Sequence, residues 1–204
     1  MKLRIGDIAT VRQGLSRSGR SMGARPGVAR VLLVSGTNIQ DDQIVEAGLE
    51  TILIHESEFT AKHLLRPYDV VVTGKSTAVK AAYVSPTIGG AIANSTLIVV
   101  SPQDADMGLY LWWFLTSCEG RRAVESRMVA GITLSSLLPS ALADMEVPLP
   151  SPAQLRLLGQ LIEVSERAYR IAIEAARIRR SAVRDYLMQR LRESDSRQGA
   201  IQWR

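Results

Sequence analysis

Several stretches of the chain carry residue types that do chemistry in other proteins, and their spacing decides what they can do here. Thr73-Gly74-Lys75-Ser76 follows a valine run and matches the end of a phosphate-binding loop. The full motif needs a glycine five positions before Gly74, because the backbone must curl around the phosphate. Asp69 stands at that position, and Val70-Val71-Val72 reads as strand where the loop should be. Asp69 and Lys75 also form a carboxylate–lysine pair of the kind that surrounds a metal in nucleases. That arrangement needs an acid two residues before the lysine, where Thr73 stands. His55 and His63 are eight apart, with Glu56 and Glu58 nearby, whereas helical metal ligands want a spacing of three or four. Both histidines read as surface residues. With no Ser/His/Asp arrangement and no glycine-rich fingerprint, the expectation is no catalytic residue, no metal and no cofactor.

The remaining chemistry is cationic. Gly14 to Gly27 is glycine, serine and arginine with little to pack, and reads as a loop. Its Arg17, Arg20 and Arg25 are long donors on a mobile backbone, suited to phosphates and base edges. The formal net charge is +5. Residues 1–150 balance to about zero, so the excess sits in the C-terminal segment. Within the first part the signs separate. Lys2, Arg4, Arg12, Arg17, Arg20, Arg25 and Arg30 oppose only Asp7, and Asp41, Asp42, Glu46, Glu50, Glu56 and Glu58 follow without a Lys or Arg. Such a basic loop could meet a polyanion, and it could equally be a solvated face.

These residues need elements to position them. Leu3 to Gln13 reads as a short amphipathic segment. Val28–Ser35, Thr51–Ile54, Val70–Thr73, Ala91–Ala93 and Thr96–Val100 read as strands, with Ala78–Val84 following the Gly74–Thr77 loop. Asp106 to Arg127 has helical period, with Met107, Tyr110, Leu111, Phe114 and Leu115 on one face and at least one of Trp112 and Trp113 in the core. Ser135–Leu142 reads as a short helical turn and Met145–Pro150 as an extended exit. Short strands without alternating long helices predict an α+β fold on a mixed or antiparallel sheet.

After Pro148-Leu149-Pro150-Ser151-Pro152 the chain has no further proline, and apolar residues recur at helical spacing to Leu191. The stripe includes Leu158, Ile162, Tyr169, Ile173, Ala176, Val183 and Leu187. Such a helix spans roughly 60 Å, too long to bury its stripe on its own globular part, so a second helix is expected to pair with it. The expected organisation is a globular domain over 1–150, the long helix over 151–192 and a polar tail over 193–204. The single Cys118 points to a reducing compartment, the N-terminus lacks a signal-peptide core, and no apolar run is long enough to span a bilayer. A cytoplasmic protein is expected.

The order of these pieces resembles a family. Leu3-Arg4-Ile5-Gly6-Asp7-Ile8 with Gln13-Gly14, then Leu65-Arg66-Pro67-Tyr68-Asp69 before Val70–Thr73, then Tyr110-Leu111 with Phe114-Leu115-Thr116-Ser117, then Ala130–Ser135 leading to Val147-Pro148-Leu149-Pro150, are together similar to the DNA specificity subunits of type I restriction-modification systems. The resemblance implies a mixed β-sheet target recognition domain followed by one long spacer helix. It departs from the family in carrying one domain and one helix where two of each are usual, and in having Ala153-Gln154 where a Glu-Gln pair commonly opens the helix. It therefore implies a half-subunit: non-catalytic, binding double-stranded DNA, paired with a second copy through a coiled coil, and partnered by a DNA methyltransferase and a restriction nuclease or translocase subunit. DNA contact is then expected from Arg17, Arg20 and Arg25, from Lys75, Ser76, Thr77 and Lys80, and from Arg127 and Thr133. Dimerisation is expected from the stripe named above. The alternative is an orphan adaptor that binds the methyltransferase without reading DNA.

Overall fold

The computed structural model describes residues 2–16, 28–55, 61–131 and 134–199, with side chains through 193. The chain forms two compact units, Met1–Gln160 and Leu161–Arg204. The first is built from β1 (Lys2–Arg4), α1 (Ile5–Ile8), β2 (Ala9–Gln13), β3 (Val28–Val34), β4 (Ile39–Gln40), β5 (Gln43–Ile44), β6 (Glu50–His55), β7 (Val70–Thr73), β8 (Lys75–Ser76), β9 (Ala81–Tyr83), β10 (Ala91–Ala93), β11 (Leu97–Pro102), α2 (Ala105–Thr116), α3 (Cys118–Glu125), β12 (Ser135–Ser136), α4 (Pro139–Ala143) and β13 (Glu146–Pro148). The last helix, α5 (Pro152–Gly199), starts in the first unit and makes up the second.

The fold is α+β on mixed sheets. A four-stranded antiparallel sheet has the order β2-β11-β7-β9, and a three-stranded sheet has the order β10-β3-β6, with β10 parallel to β3 and β6 antiparallel to it. The runs Val70–Val72 and Leu97–Val100 are buried along their whole length, so both faces of the central pair β7 and β11 are covered. Side chains alternate between faces along each strand. Val71, Leu97 and Val99 pack with Val34, Ile39, Ala91 and Ala93 of the second sheet and its connections. The other face lies under α2. A strand covered on both sides reads as continuous valine rather than alternation, which is why these two strands are visible in the sequence.

The edges of the fold depart from the sequence reading. Residues 3–13 are strand, one helical turn and strand, because β1 pairs with β13 at the far end of the domain, Lys2 opposite Pro148. The helix expected over 106–127 is broken. Ser117 ends α2 with extended backbone and caps α3, its Oγ accepting from the Gly120 N–H at 3.1 Å. The 135–142 segment divides into β12 and α4, and α5 continues to Gly199, beyond the expected end at 192. Trp112 is the core tryptophan, at 4% exposure, and Trp113 is 47% exposed.

Two local knots fix the layers. In the β4–β5 hairpin both Asp41 (φ 48) and Asp42 (φ 59) hold left-handed backbone, the geometry of a type I′ turn more often filled by Asn-Gly. Arg121 Nη2 donates to both Asp42 oxygens at 2.6 Å, its Nε to the Thr116 carbonyl, and Trp112 Nε1 to the Asp42 carbonyl at 3.0 Å. The second knot is Arg66-Pro67-Tyr68-Asp69, a turn closed by the Asp69 N–H on the Arg66 carbonyl with Tyr68 at φ 67. The Asp69 carboxylate, 1% exposed, accepts from the Arg66 N–H at 3.0 Å and from the Ser101 hydroxyl. Extending the ladders from Val100 opposite Val70 and Ser101 opposite Thr10 sets Thr10, Ser101 and Asp69 side by side across three strands.

Two predictions follow from the second knot. A Cβ on Gly108 would lie 2.4 Å from the Tyr68 carbonyl oxygen, which is backbone and cannot swing away. Alanine normally favours a helix interior by about 1 kcal/mol over glycine, but here Gly108→Ala should destabilise by about 1–3 kcal/mol through overpacking, read as a lower urea midpoint. Burial pushes the Asp69 carboxyl above its ordinary 3.8. The hydrogen bonds from Arg66 and Ser101, and the charges of Arg66 and Arg12, oppose this without cancelling it. The folded chain thus holds that proton more tightly than the unfolded chain. The stability tied to it is fully present below 3.8 and is lost as pH rises through the folded value. Denaturation between pH 3.5 and 7 should show the wild type losing stability relative to Asp69→Asn as pH rises; parallel curves would refute it.

Candidate nucleic-acid interface and pairing helix

Thr73-Gly74-Lys75-Ser76 is a strand running on into a second short ladder. The Thr73 N–H donates to the Lys80 carbonyl at 2.9 Å, and those of Gly74 and Lys75 donate to the Thr96 carbonyl at 2.7 and 3.2 Å. These amides are spent, so this turn offers no cradle for a nucleotide phosphate. Instead β8 pairs with β12, Lys75 opposite Ser136 and Ser76 opposite Ser135. The Leu137 N–H donates to the Gly74 carbonyl at 2.7 Å, and Val129 and Ser136 exchange both backbone hydrogen bonds. The ladder ties the 74–80 hairpin to the segment that begins at Arg127.

The expected contact residues separate in space. Lys75, exposed, Ser76, half-buried, and Thr77, exposed, sit on the hairpin tip. Arg127 Nη1 donates to the Ala123 carbonyl at 2.8 Å, which anchors one end of its guanidinium to the last turn of α3. Around this ladder Val129, Leu134 and Leu138 are 64%, 45% and 58% exposed, an apolar rim beside the cations. Lys80 points elsewhere: its Nζ donates to the Ile39 carbonyl at 3.2 Å, and it lines a hollow with Asp41, Asp42 and Arg121. Arg17, Arg20, Arg25 and Thr133 lie outside the described residues.

The second candidate surface is α5. Its start is a capping box: the Ser151 N–H donates to Gln154 Oε1 at 2.9 Å and the Gln154 N–H to Ser151 Oγ at 3.4 Å, with Pro152 at the first helical position. The expected stripe is not uniformly free. Leu158 is half-buried and Ile162 is 6% exposed. Tyr169, Ile173, Val183 and Leu187 are 44%, 37%, 53% and 54% exposed, and Ala176 is exposed. Glu166 and Arg180 interrupt their row.

A different row is both unbroken and exposed from end to end. Leu157, Leu161, Val164, Ala168, Ile171, Ala175, Ile178 and Ala182 alternate in steps of four and three. That is the spacing of a coiled-coil seam. Its large members are 57–68% exposed, and Ala168, Ala175 and Ala182 recur at every seventh residue. Alanine there leaves room for close approach of a second helix. On a helical wheel this row and the Tyr169–Leu187 row lie on nearly opposite sides, with Arg170, Arg177 and Arg184 between them on one flank. Apolar periodicity alone could not separate the two rows, since both satisfy it.

No family model matches the sequence, and no curated protein matches it significantly. Solved structures do match. A chain from a study of complex assembly and conformational transition of the type I R-M system aligns with a TM-score of 0.54 at 13% identity, covering 82% of this chain and 38% of that one. The HsdS subunit from Thermoanaerobacter tengcongensis aligns at 0.52 and 13% identity, covering 82% and 37%. The type I restriction-modification S subunit from M. genitalium aligns at 0.51 and 15% identity, covering 84% and 40%. The chain thus spans about two fifths of the length of the solved chains it matches, and over that span its fold is that of a type I restriction-modification specificity subunit.

Proposed function

We propose that this chain is a non-catalytic, sequence-specific DNA-recognition subunit of a type I-like restriction-modification system. It pairs with a second copy through α5, reads a two-part DNA site, and recruits a DNA methyltransferase, with a nuclease or translocase subunit as a further partner. The observation that carries the reading is the specificity-subunit fold over more than four fifths of the chain, ending in a helix whose seam is exposed. An isologous pair joined by antiparallel seams restores two recognition modules and suits an inverted-repeat site. The row from Tyr169 to Leu187, on the opposite side of the helix, leaves a second apolar face for the methyltransferase.

The DNA face in this reading is the hairpin carrying Lys75, Ser76 and Thr77 with the segment from Arg127, together with the Arg17–Arg25 loop. Cations there hold phosphates and set register, while a smaller number of side chains read base edges. The exposed Val129, Leu134 and Leu138 are suited to thymine methyl groups.

Two measurements test this. Sedimentation at micromolar concentration should give a dimer, and Ile171→Glu should raise the dissociation constant at least about 100-fold, as expected from the roughly 2–5 kcal/mol lost when a packed isoleucine is removed. Tyr169→Glu, on the opposite row, should leave the dimer intact; a monomeric wild type with folded α5 rejects the pairing. Duplex binding should weaken with salt, and replacing Arg17, Arg20 and Arg25 together with Ala should lower the log–log salt slope by about one per lost phosphate contact. An unchanged slope with unchanged affinity supports the adaptor reading instead.

A further inference from the structure

At the end of β7 opposite the Lys75 hairpin lies a second concentration of positive charge. Thr10 and Arg12 are two apart on edge strand β2 and so share a face. They line a cavity of about 410 Å³ with Lys62, Leu64, Arg66 and Ser101. Arg12 is half-buried, and Nη2 donates to the Leu64 carbonyl at a long 3.3 Å. Arg66 Nε stands 3.8 Å from Asp69 Oδ1. Lys62 is exposed and has no partner among the described residues. Arg12 and Arg66 thus act on one buried carboxylate, Asp69, which already accepts from the Arg66 N–H and the Ser101 hydroxyl, and Lys62 lines the same cavity as both arginines. Among the described residues one further acid near this face, Asp7, lines the adjoining hollow of about 340 Å³, where it accepts from the Arg4 N–H at 3.2 Å.

Satisfying Asp69 takes one cation. Among the described residues the remaining charge is uncompensated, and part of it sits on a guanidinium that burial has stripped of water. A bound anion removes that cost, and the planar donors left on Arg12 and Arg66 match a tetrahedral oxyanion. We propose that Thr10, Arg12, Lys62 and Arg66 form a phosphate-binding pocket, distinct from the hairpin at the other end of β7. Its ligand is a phosphate group, either from a nucleic-acid backbone or free in solution. The backbone source rests on the DNA-recognition reading above, and the free source does not.

The test uses the full chain with inorganic phosphate and with a DNA duplex as probes. Phosphate at about 20 mM, compared with chloride at equal ionic strength, should raise the wild-type Tm by about 2–4 °C for millimolar binding. Arg12→Gln, Arg66→Gln and Lys62→Gln should each reduce that shift. For a backbone phosphate each variant should also lower the log–log salt slope of duplex binding by about one, with sequence preference unchanged. A changed slope, with or without the Tm shift, assigns the pocket to the DNA backbone; a Tm shift with an unchanged slope assigns it to free phosphate. The absence of both effects overturns the proposal. Lys62→Gln keeps this decisive if the arginine variants misfold, because Lys62 is exposed and makes no contact the fold needs among the described residues. Should the wild type bind no duplex at all, the DNA reading fails while the phosphate measurement still decides the pocket.

Discussion

The first unit depends on one constraint: β7 and β11 are buried on both faces and must be covered twice. No single layer can do that. The second sheet covers one side, and α2 covers the other. The covering layers must then be locked in place, and the two polar knots do so. Arg121, Asp42 and Trp112 tie the β4–β5 hairpin to α2 and α3. The Tyr68 turn packs directly against α2 at Gly108, where there is no room for a Cβ. Polar groups at such junctions add modest energy when satisfied and cost much more when one partner is missing. They select one arrangement of layers that hydrophobic burial alone would leave loosely defined.

The same constraint sorts the surface. A strand buried along its length can present chemistry only where it begins and ends. Asp69 precedes β7, and Gly74 with Lys75 follows it. The two cationic regions therefore sit at opposite ends of one four-residue strand, roughly 13–17 Å apart by strand rise. Asp69, which stands where a nucleotide loop would need glycine, serves as the buried counter-charge that allows arginines to crowd the sheet edge.

What could be read from the sequence follows from which signals are local. The valine runs announced β7 and β11 because two-sided burial leaves a composition that needs no partner to be recognised, while β3 and β6, only partly buried, showed through their β-branched residues. The pairing of β1 with β13 joins Lys2 to Pro148, and no local pattern encodes it. The break at Ser117 was hidden because apolar helical period continues across it while a single hydroxyl turns the chain. Arg12 was obscured because Leu3–Gln13 reads only as a short amphipathic segment, although strand period two puts Thr10 and Arg12 together. On α5 the apolar rows were legible, but not the burial of Leu158 and Ile162, which no local pattern encodes.

The capping box at Ser151 has a further consequence. It fixes the residue at which α5 begins, so every later side chain has a set angular phase. Rows stepping by four and three keep that phase only if residues are gained or lost in whole heptads; any other change turns the seam away from its partner. Each heptad adds roughly 10.5 Å, about three base pairs of DNA at 3.4 Å per step. A helix of this kind cannot be tuned continuously. In the pairing proposed above, length variants should come in discrete sizes, and the separation they impose on a two-part DNA site should advance in jumps of about three base pairs.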